Sequence, residues 1–248
     1  MRILAIETSA ERCSVALTHA TGVVQRRQTA GTPVAERALS MIAELLADQS
    51  VTLNQVDAFA FGSGPGAFTG LRVACALVQG LAFAGDRPVI AVGSLRALAY
   101  GAAEQVRRQG ADPACDPPRV MAAIDARMGQ IYWAVYEGER AARQLAPASL
   151  AQVEQLAGLV ERWQPHVIAG NALRAFEAAW PARTEAIQLP DLAADASMVA
   201  ELARTELAAG RAVAAREAAP EYVRDQVALT VAQRSQERLD HTKRGVTP

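Results

Sequence analysis

The sequence is poor in the residues that clamp phosphates and bind metals. Its 248 residues contain a single lysine, Lys243, near the end of the chain. A Walker-type phosphate loop and a lysine Schiff base both need that side chain in the active site, so the sequence disfavours both. The three histidines, His19, His166 and His241, are isolated and form no HxxxH pair, which argues against a zinc hydrolase.

Cysteines and long apolar runs are also scarce. Cys13, Cys75 and Cys115 are few and far apart, which argues against a disulfide framework and fits a reducing compartment. The N-terminus has no signal-peptide pattern. Residues 73–83 come nearest to a membrane span, but they contain Gln79 and are too short to cross a bilayer. We therefore expect a cytoplasmic protein that does not enter a membrane.

Neither sign of charge is in excess. The chain has 25 Lys and Arg against 26 Asp and Glu, and a formal net charge of −1. A chain without excess positive charge has no overall attraction for nucleic acid, so we do not expect it to bind RNA strongly by itself.

Strand and helix patterns alternate along the chain and predict an α/β protein, whose length suits one large domain or two lobes. The proline-rich loop ADPACDPP (111–118) is a candidate boundary between lobes. We place the first lobe at residues 1–97 and the second at 98–215, with 216–229 returning to the first lobe. The pattern of residues 149–163 predicts a helix. Residues 230–248 are polar and unpatterned and predict a disordered tail.

One segment of the sequence is repeated weakly. AIETSAERCSVAL (5–17) aligns without gaps to AIDARMGQIYWAV (123–135), and Glu7 is then opposite Asp125. Each copy is an apolar strand that ends in a carboxylate, followed by a polar turn and a second strand. The match indicates either a chance likeness of two hairpins or two lobes of like fold.

The candidate functional residues lie at the ends of the first strands of these two hairpins and in a glycine-rich loop. Glu7 and Asp125 stand where carboxylates would hold a metal at bound phosphates, or where they would satisfy their own turns. Glu7 is followed by Thr8 and Ser9, with no glycine for a close phosphate approach. The loop GSGPGAFTG, with Gly64 and Gly66, lacks a Walker ending, so it indicates either anion binding or tight strand-to-helix packing.

Two predicted helices, near residues 33–49 and 67–84, carry more apolar surface than one sheet covers. We expect this surface either to bind a protein partner or a second copy of the chain, or to be buried by the other lobe. The candidate interface residues are Ala38, Met41, Ile42, Leu45, Leu71, Ala74, Leu77, Val78 and Leu81.

Four segments carry a family resemblance: MRILAIETSAERCSVAL, GSGPGAFTGLRVACALVQGLA, AAIDARMGQIYWAVYE and APEYVR. Together, and in this order, they resemble the TsaB (YeaZ) family, in which GPGAFTGLR and IDARMGQIYWA are the most specific motifs. The resemblance implies the two-lobed α/β fold of the actin-like ATPase superfamily, with ribonuclease H-like topology, in which each lobe is a mixed sheet with flanking helices. It also implies a part in making threonylcarbamoyladenosine on tRNA.

The resemblance further implies a non-catalytic role as the partner and activator of a TsaD-type transferase. The transferase has a metal-binding histidine pair on the helix corresponding to residues 33–49, which has no histidine here. Many family members have a histidine near Val34 and an aspartate where this chain has Glu7, and both departures weigh against catalysis.

The same resemblance implies a set of partners and no required cofactor. We expect a TsaE-type ATPase as a third component, a homodimer of the isolated chain, and contact with tRNA only through the complex. Weak ATP or ADP binding is expected at the complex interface, with Glu7, Thr8, Ser9, Gly64, Gly66 and Asp125 as a vestigial phosphate loop. An active small-molecule kinase or ATPase of the same superfamily is the alternative, and an inactive peptidase-like protein is a third class.

Overall fold

The chain forms two five-stranded sheets, seen in a computed structural model that describes residues 1–10, 12–29, 34–110, 117–181 and 184–224. The first sheet contains β1 (Ile3–Glu7), β2 (Arg12–His19), β3 (Gly22–Thr29), β4 (Ala58–Gly64) and β5 (Val89–Gly93). The second contains β6 (Val120–Arg127), β7 (Gln130–Glu137), β8 (Arg143–Gln152), β9 (Val167–Ala169) and β10 (Ile187–Leu189). The helices are α1 (Val34–Asp48), α2 (Phe68–Phe83), α3 (Ser94–Arg108), α4 (Leu156–Trp163), α5 (Ala172–Ala175) and α6 (Ala196–Ala208).

The two sheets have the same topology. Their strand orders are β3-β2-β1-β4-β5 and β8-β7-β6-β9-β10, so each sheet is an antiparallel three-strand meander extended by two parallel strands. The predicted α/β fold with two lobes of like topology is therefore confirmed, and the repeated segment is the first hairpin of each lobe.

The gapless alignment of the two hairpins does not hold along their whole length. Ala5 pairs with Ala16 in the first sheet, but the equivalent Ala123 pairs with Trp133. A bulge between Asp125 and Arg127 causes this slip of one residue, because it shifts the register of β6 against β7.

Helices and sheets alternate in five layers. Helices α1 and α2 cover the outer face of the first sheet, and α4 and α5 cover the outer face of the second. Helices α3 and α6 lie between the sheets and share one apolar core with both. Helix α6, which falls in the range 98–215, packs against all five strands of the first sheet. The central layer therefore joins the two lobes into one packed unit.

The predicted helix over residues 149–163 is wrong in its first half. Residues 149–152 belong to β8, where Ser149 pairs with Trp133 and Ala151 with Ile131, and α4 begins at Leu156. Leu, Ala and Gln favour a helix locally, but the open edge of β7 offers backbone partners that decide the structure.

Some sequence predictions fall outside the described residues, namely the tail at 230–248, Cys115 and most of the proline-rich loop. Among the residues that the structure describes, no helix combines the length and the apolar character that crossing a bilayer would need.

Glu206 of α6 binds two arginines where the lobes meet. Its carboxylate accepts hydrogen bonds from Arg211 and, at 2.6 Å, from Arg96 of α3. Arg96 also donates to the carbonyl oxygen of Ala141 in the second lobe, at 3.2 Å. The hydrogen bonds from Arg211 and then Arg96 lower the pKa of Glu206 from 4.5 to about 2.

We expect Glu206→Gln to destabilise the protein at neutral pH by about 2 kcal/mol, since solvent partly screens the exposed Arg211. Because the folded-state pKa is depressed, the stabilisation is present above the unfolded pKa and is lost as the pH falls through about 2. Urea unfolding from neutral pH to about pH 2 measures this. Glu217→Gln, which removes a surface pair with Arg216, is the control and should change little. A Glu206→Gln effect of the same size at every pH would contradict the prediction.

Candidate functional site

The glycine loop packs directly on the turn between β1 and β2. The Ala67 amide donates to the Ser9 carbonyl oxygen at 2.9 Å, and the Thr8 hydroxyl donates to the Gly70 carbonyl oxygen at 2.7 Å. A Cβ on Gly70 would lie 2.0 Å from the Thr8 carbonyl oxygen, and a Cβ on Gly66 would lie 2.6 Å from the Ser9 Cβ. Close backbone packing therefore accounts for these glycines without a phosphate.

Glu7 ends β1 and is completely buried behind this turn. Its Oε1 accepts hydrogen bonds from the Ser9 amide and hydroxyl, both at 2.6 Å, and its Oε2 accepts one from the Ser94 hydroxyl at 3.2 Å. Burial raises the pKa of Glu7, while the bonds from Ser9 and Ser94 oppose that rise. A Cβ on Gly62 would overlap Oε2 at 1.7 Å, so that glycine makes room for the carboxylate.

Asp125 ends β6 and has the equivalent position in the second lobe. Its Oδ1 accepts a hydrogen bond from the Arg127 amide at 2.7 Å, and its Oδ2 lies 3.2 Å from the Arg127 guanidinium. The Asp125 amide in turn donates to Oδ1 of Asn171 at 2.9 Å. Each of the two predicted carboxylates thus accepts a hydrogen bond from the backbone amide two residues later in its own turn.

A cleft of about 580 Å³ lies between the two turns. It brings together Ser9, Gly66 and Asp125 from the predicted phosphate loop. Gly64 instead lines a second cavity of about 440 Å³. The carboxylate of Glu7 is sealed from the cleft by its hydrogen bonds to Ser9 and Ser94. The predicted set is therefore divided between the cleft wall and the buried layer beneath it.

The cleft does not fit a nucleotide phosphate at its two turns. The amides of Ser9 and Arg127, which would point at an anion, are bound by the chain's own carboxylates. Within the described part of the chain, no three His, Cys, Asp or Glu residues are grouped closely enough to hold a metal ion.

The segment 218–224, part of the range 216–229 that the sequence places back on the first lobe, crosses the cleft, and its contact with the second lobe was not predicted. The Glu221 amide donates to the Ser63 carbonyl oxygen at 2.7 Å, and Arg224 donates to the Ala126 carbonyl oxygen at 2.9 Å and to Gln130 Oε1 at 2.7 Å. The motif APEYVR was the only signal of it. Because both lobes are contacted, this segment joins the glycine loop to the β6–β7 turn.

Most of the predicted interface residues point into the protein. Seven of the nine are buried against the first sheet, namely Ala38, Met41, Ile42, Leu45, Leu71, Ala74 and Val78, while Leu77 and Leu81 are half-buried. They recur every three or four residues and form the inner faces of α1 and α2. The first sheet, rather than the other lobe, covers them.

The surface of α2 is nevertheless apolar. Ala76, Gly80 and Phe83 are exposed on its outer face, with Val73 and Leu77 half-buried beside them. Phe83 is 81% exposed, and Leu39 on neighbouring α1 is 47% exposed. We call Val73, Ala76, Leu77, Gly80 and Phe83 the outer strip of α2. It replaces the inward set as the candidate interface.

Comparison with known proteins identifies relatives along almost the whole chain. A family model described as TsaD, tRNA N6-adenosine threonylcarbamoyltransferase, matches residues 22–233. The tRNA threonylcarbamoyladenosine biosynthesis protein TsaB of Escherichia coli is 35% identical, over 92% of this chain and 96% of that protein. The Haemophilus influenzae TsaB is 45% identical over 54% of this chain and 52% of its own length. The structure of YeaZ from Pseudomonas aeruginosa superposes with a TM-score of 0.76 at 38% identity, covering 89% of this chain and 99% of that one. By these matches, the chain belongs to the TsaB (YeaZ) family.

Proposed function

We propose that this protein is a non-catalytic subunit that binds and activates a TsaD-type transferase during threonylcarbamoyladenosine modification of tRNA. Its part in that pathway follows from the TsaB relatives. The observation that carries the partner role is the exposed, uncharged outer strip of α2. Between Arg72 and Asp86 the sequence has no charged residue, although this is a surface helix.

The outer strip is suited to close contact with another helix. Ala76 and Gly80 lie one turn apart, and nothing lies within 4 Å of where a Cβ on Gly80 would be. Small side chains let two helices approach closely, while Phe83 at the end of the strip provides a large ring to bury. Covering a ring of that size contributes about 2 kcal/mol.

A direct catalytic role has less support. The two carboxylates that would serve phosphate chemistry are bound to their own turns, and Glu7 is fully buried. We therefore favour the partner role over an active kinase or ATPase. The remaining parts of the proposal are a TsaE-type third component, a cytoplasmic location, weak ATP or ADP binding at most, and self-association of the isolated chain through the same strip.

Introducing a charge into the outer strip tests the proposal. Ala76→Glu is expected to weaken binding of the TsaD-type subunit about 100-fold, because an unpaired carboxylate would be buried in an apolar contact. Calorimetric titration with the purified subunit measures the affinity. Ala76 is suitable because it is exposed, whereas Ile42→Glu would place a charge in the core.

Ala157→Glu is the matched control, since it makes the same change at an exposed position of α4 on the second lobe. It should leave the affinity unchanged. Equal affinities for the wild type and Ala76→Glu would reject the outer strip as the interface. No binding by the wild type at any concentration would reject the partner role.

A further inference from the structure

An exposed group of aromatic and arginine side chains lies at the mouth of the cleft, beside the first turn of α2. The Arg72 guanidinium sits 3.8 Å from the centre of the Phe68 ring and donates to the Tyr222 hydroxyl at 3.0 Å. The Phe68 and Tyr222 rings are 5.5 Å apart, and each residue is 44% exposed. The three side chains therefore hold one another in place with part of each ring open to solvent.

The β6–β7 turn projects into solvent on the other side of the same cleft. Arg127 and Met128 adopt left-handed conformations, with φ of 64° and 57°, although neither is glycine. Met128 is 82% exposed, and the Arg127 side chain is 83% exposed. Backbone strain of this kind persists where surrounding contacts enforce it and is common at binding sites. Here the contacts come from Arg224, which binds Ala126 and Gln130 and touches the Met128 sulfur at 3.8 Å.

The charge around this mouth differs from that of the whole chain. Within residues 1–224 as far as they are described, five arginines, Arg12, Arg72, Arg127, Arg174 and Arg224, line or adjoin it, against three carboxylates, Asp125, Asp191 and Glu221. Arg127 and Arg174 pair with Asp125 and Asp191, but both guanidinium groups lie at the surface, where such a pair is weak and leaves the arginine available to a phosphate. Among the residues that the structure describes, Arg72 has no acidic partner and binds the Tyr222 hydroxyl. Arg224 likewise binds a carbonyl and an amide oxygen rather than an acid. A local excess of positive charge therefore lies on a chain of net charge −1.

We propose that Phe68, Arg72, Arg127, Met128 and Tyr222, the cleft-mouth cluster, bind single-stranded RNA of the tRNA substrate. This inference rests on the proposed function, because the RNA is brought by the complex. The open aromatic faces stack on unpaired bases, and the arginines contact the phosphates on either side. An acidic protein segment would match the arginines, but it would leave the partly open rings without a flat partner.

The position of the cluster fits a shared RNA site. Phe68 of the cluster begins α2, and Phe83 of the outer strip ends it. Because an α-helix rises 1.5 Å per residue, the cluster and the far end of the strip are about 22 Å apart. A transferase bound along the outer strip would therefore stand beside the cluster. RNA held there would touch both subunits, which explains how a chain of balanced overall charge takes part in RNA binding.

The test measures tRNA affinity of the complete chain bound to its TsaD-type subunit, by fluorescence anisotropy of a labelled tRNA transcript at several salt concentrations. Tyr222→Ala should weaken binding about fivefold or more, and Tyr222→Phe, which keeps the ring, should retain most of the affinity. Arg127→Gln should weaken binding and reduce the slope of log affinity against log salt by about 1. Arg162→Gln, which removes an exposed arginine on α4, is the control.

Subunit binding by each variant is measured separately by sedimentation. Unchanged tRNA affinity for both Tyr222→Ala and Arg127→Gln would overturn the RNA assignment. Loss of subunit binding in these variants would identify the cluster as a protein contact and would overturn it equally. Lower affinity for free ATP with unchanged affinity for tRNA would assign the cluster to a nucleotide instead. If the wild-type chain itself does not bind the TsaD-type subunit, the proposed function is wrong. This outcome is distinct from the three above, because each of those requires that the wild-type chain binds the subunit.

Discussion

Gly70→Ala is expected to destabilise the protein by about 3 kcal/mol or more. The new Cβ would lie 2.0 Å from the Thr8 carbonyl oxygen and 2.7 Å from its carbonyl carbon, far inside van der Waals contact. These are backbone atoms, and Thr8 is held by its own hydrogen bond to Gly70, so the turn cannot yield without breaking that contact. Overpacking of a rigid site commonly costs about 1–3 kcal/mol and more where the backbone is involved.

The control is the same substitution ten residues further along the same helix. Gly80→Ala meets nothing within 4 Å and should stabilise the protein by up to about 1 kcal/mol, because alanine favours a helix more than glycine does. Equilibrium urea unfolding of the three proteins gives both values. Similar effects at Gly70 and Gly80 would show that the glycine loop does not depend on close contact with the β1–β2 turn.

Cells depleted of this protein are expected to lose threonylcarbamoyladenosine from tRNAs that read codons beginning with A, although the transferase subunit remains. Glu7→Gln should restore the modification close to the wild-type level, since a partner role needs no carboxylate there. Ala76→Glu should restore less than about a tenth of it, because it weakens the proposed interface. Nucleoside mass spectrometry of tRNA from complemented cells measures all three.

The Glu7→Gln protein is also expected to fold well. The amide oxygen can still accept the bonds from Ser9, and the amide nitrogen can donate to the Ser94 hydroxyl. Because burial raises the pKa of Glu7, the carboxylate's contribution to stability falls as the pH rises through the folded-state pKa, and the amide avoids that loss. If Glu7→Gln is folded and binds the transferase but does not restore the modification, the carboxylate has a chemical role.

The fold was predictable from sequence because its evidence is local. Glu7 and Asp125 end matching apolar strands, a likeness that left chance and two similar lobes open, and the four segments that resemble the TsaB family favoured two similar lobes. The bulge after Asp125 was not predictable, because the sequence of one strand does not show where an extra residue stands opposite the partner strand. Ser149–Gln152 were misassigned for a related reason, since pairing with the edge of β7 is a long-range contact that local propensity does not record.

The candidate site was only partly predictable. An excess of apolar residues on α2 led to a predicted interface, which stays a prediction. Composition cannot say which face of the helix meets the sheet, so Leu71 and Val78 were chosen although they lie in the core. The role of Tyr222 and Arg224 was missed because they are far in sequence from Phe68 and Ala126. Only the return of the chain across the cleft brings them together.

The central position of α6 has a consequence for synthesis on the ribosome. Strands β1 to β5 are all made within the first 93 residues, but the helix that covers the inner face of their sheet ends at Ala208. The edge strand β5 gains its last partner later still, when Val213 pairs with Val89. Until those residues emerge, the nascent first sheet exposes an apolar face. The growing chain therefore needs shielding until α6 and Val213 have been translated and have left the ribosome.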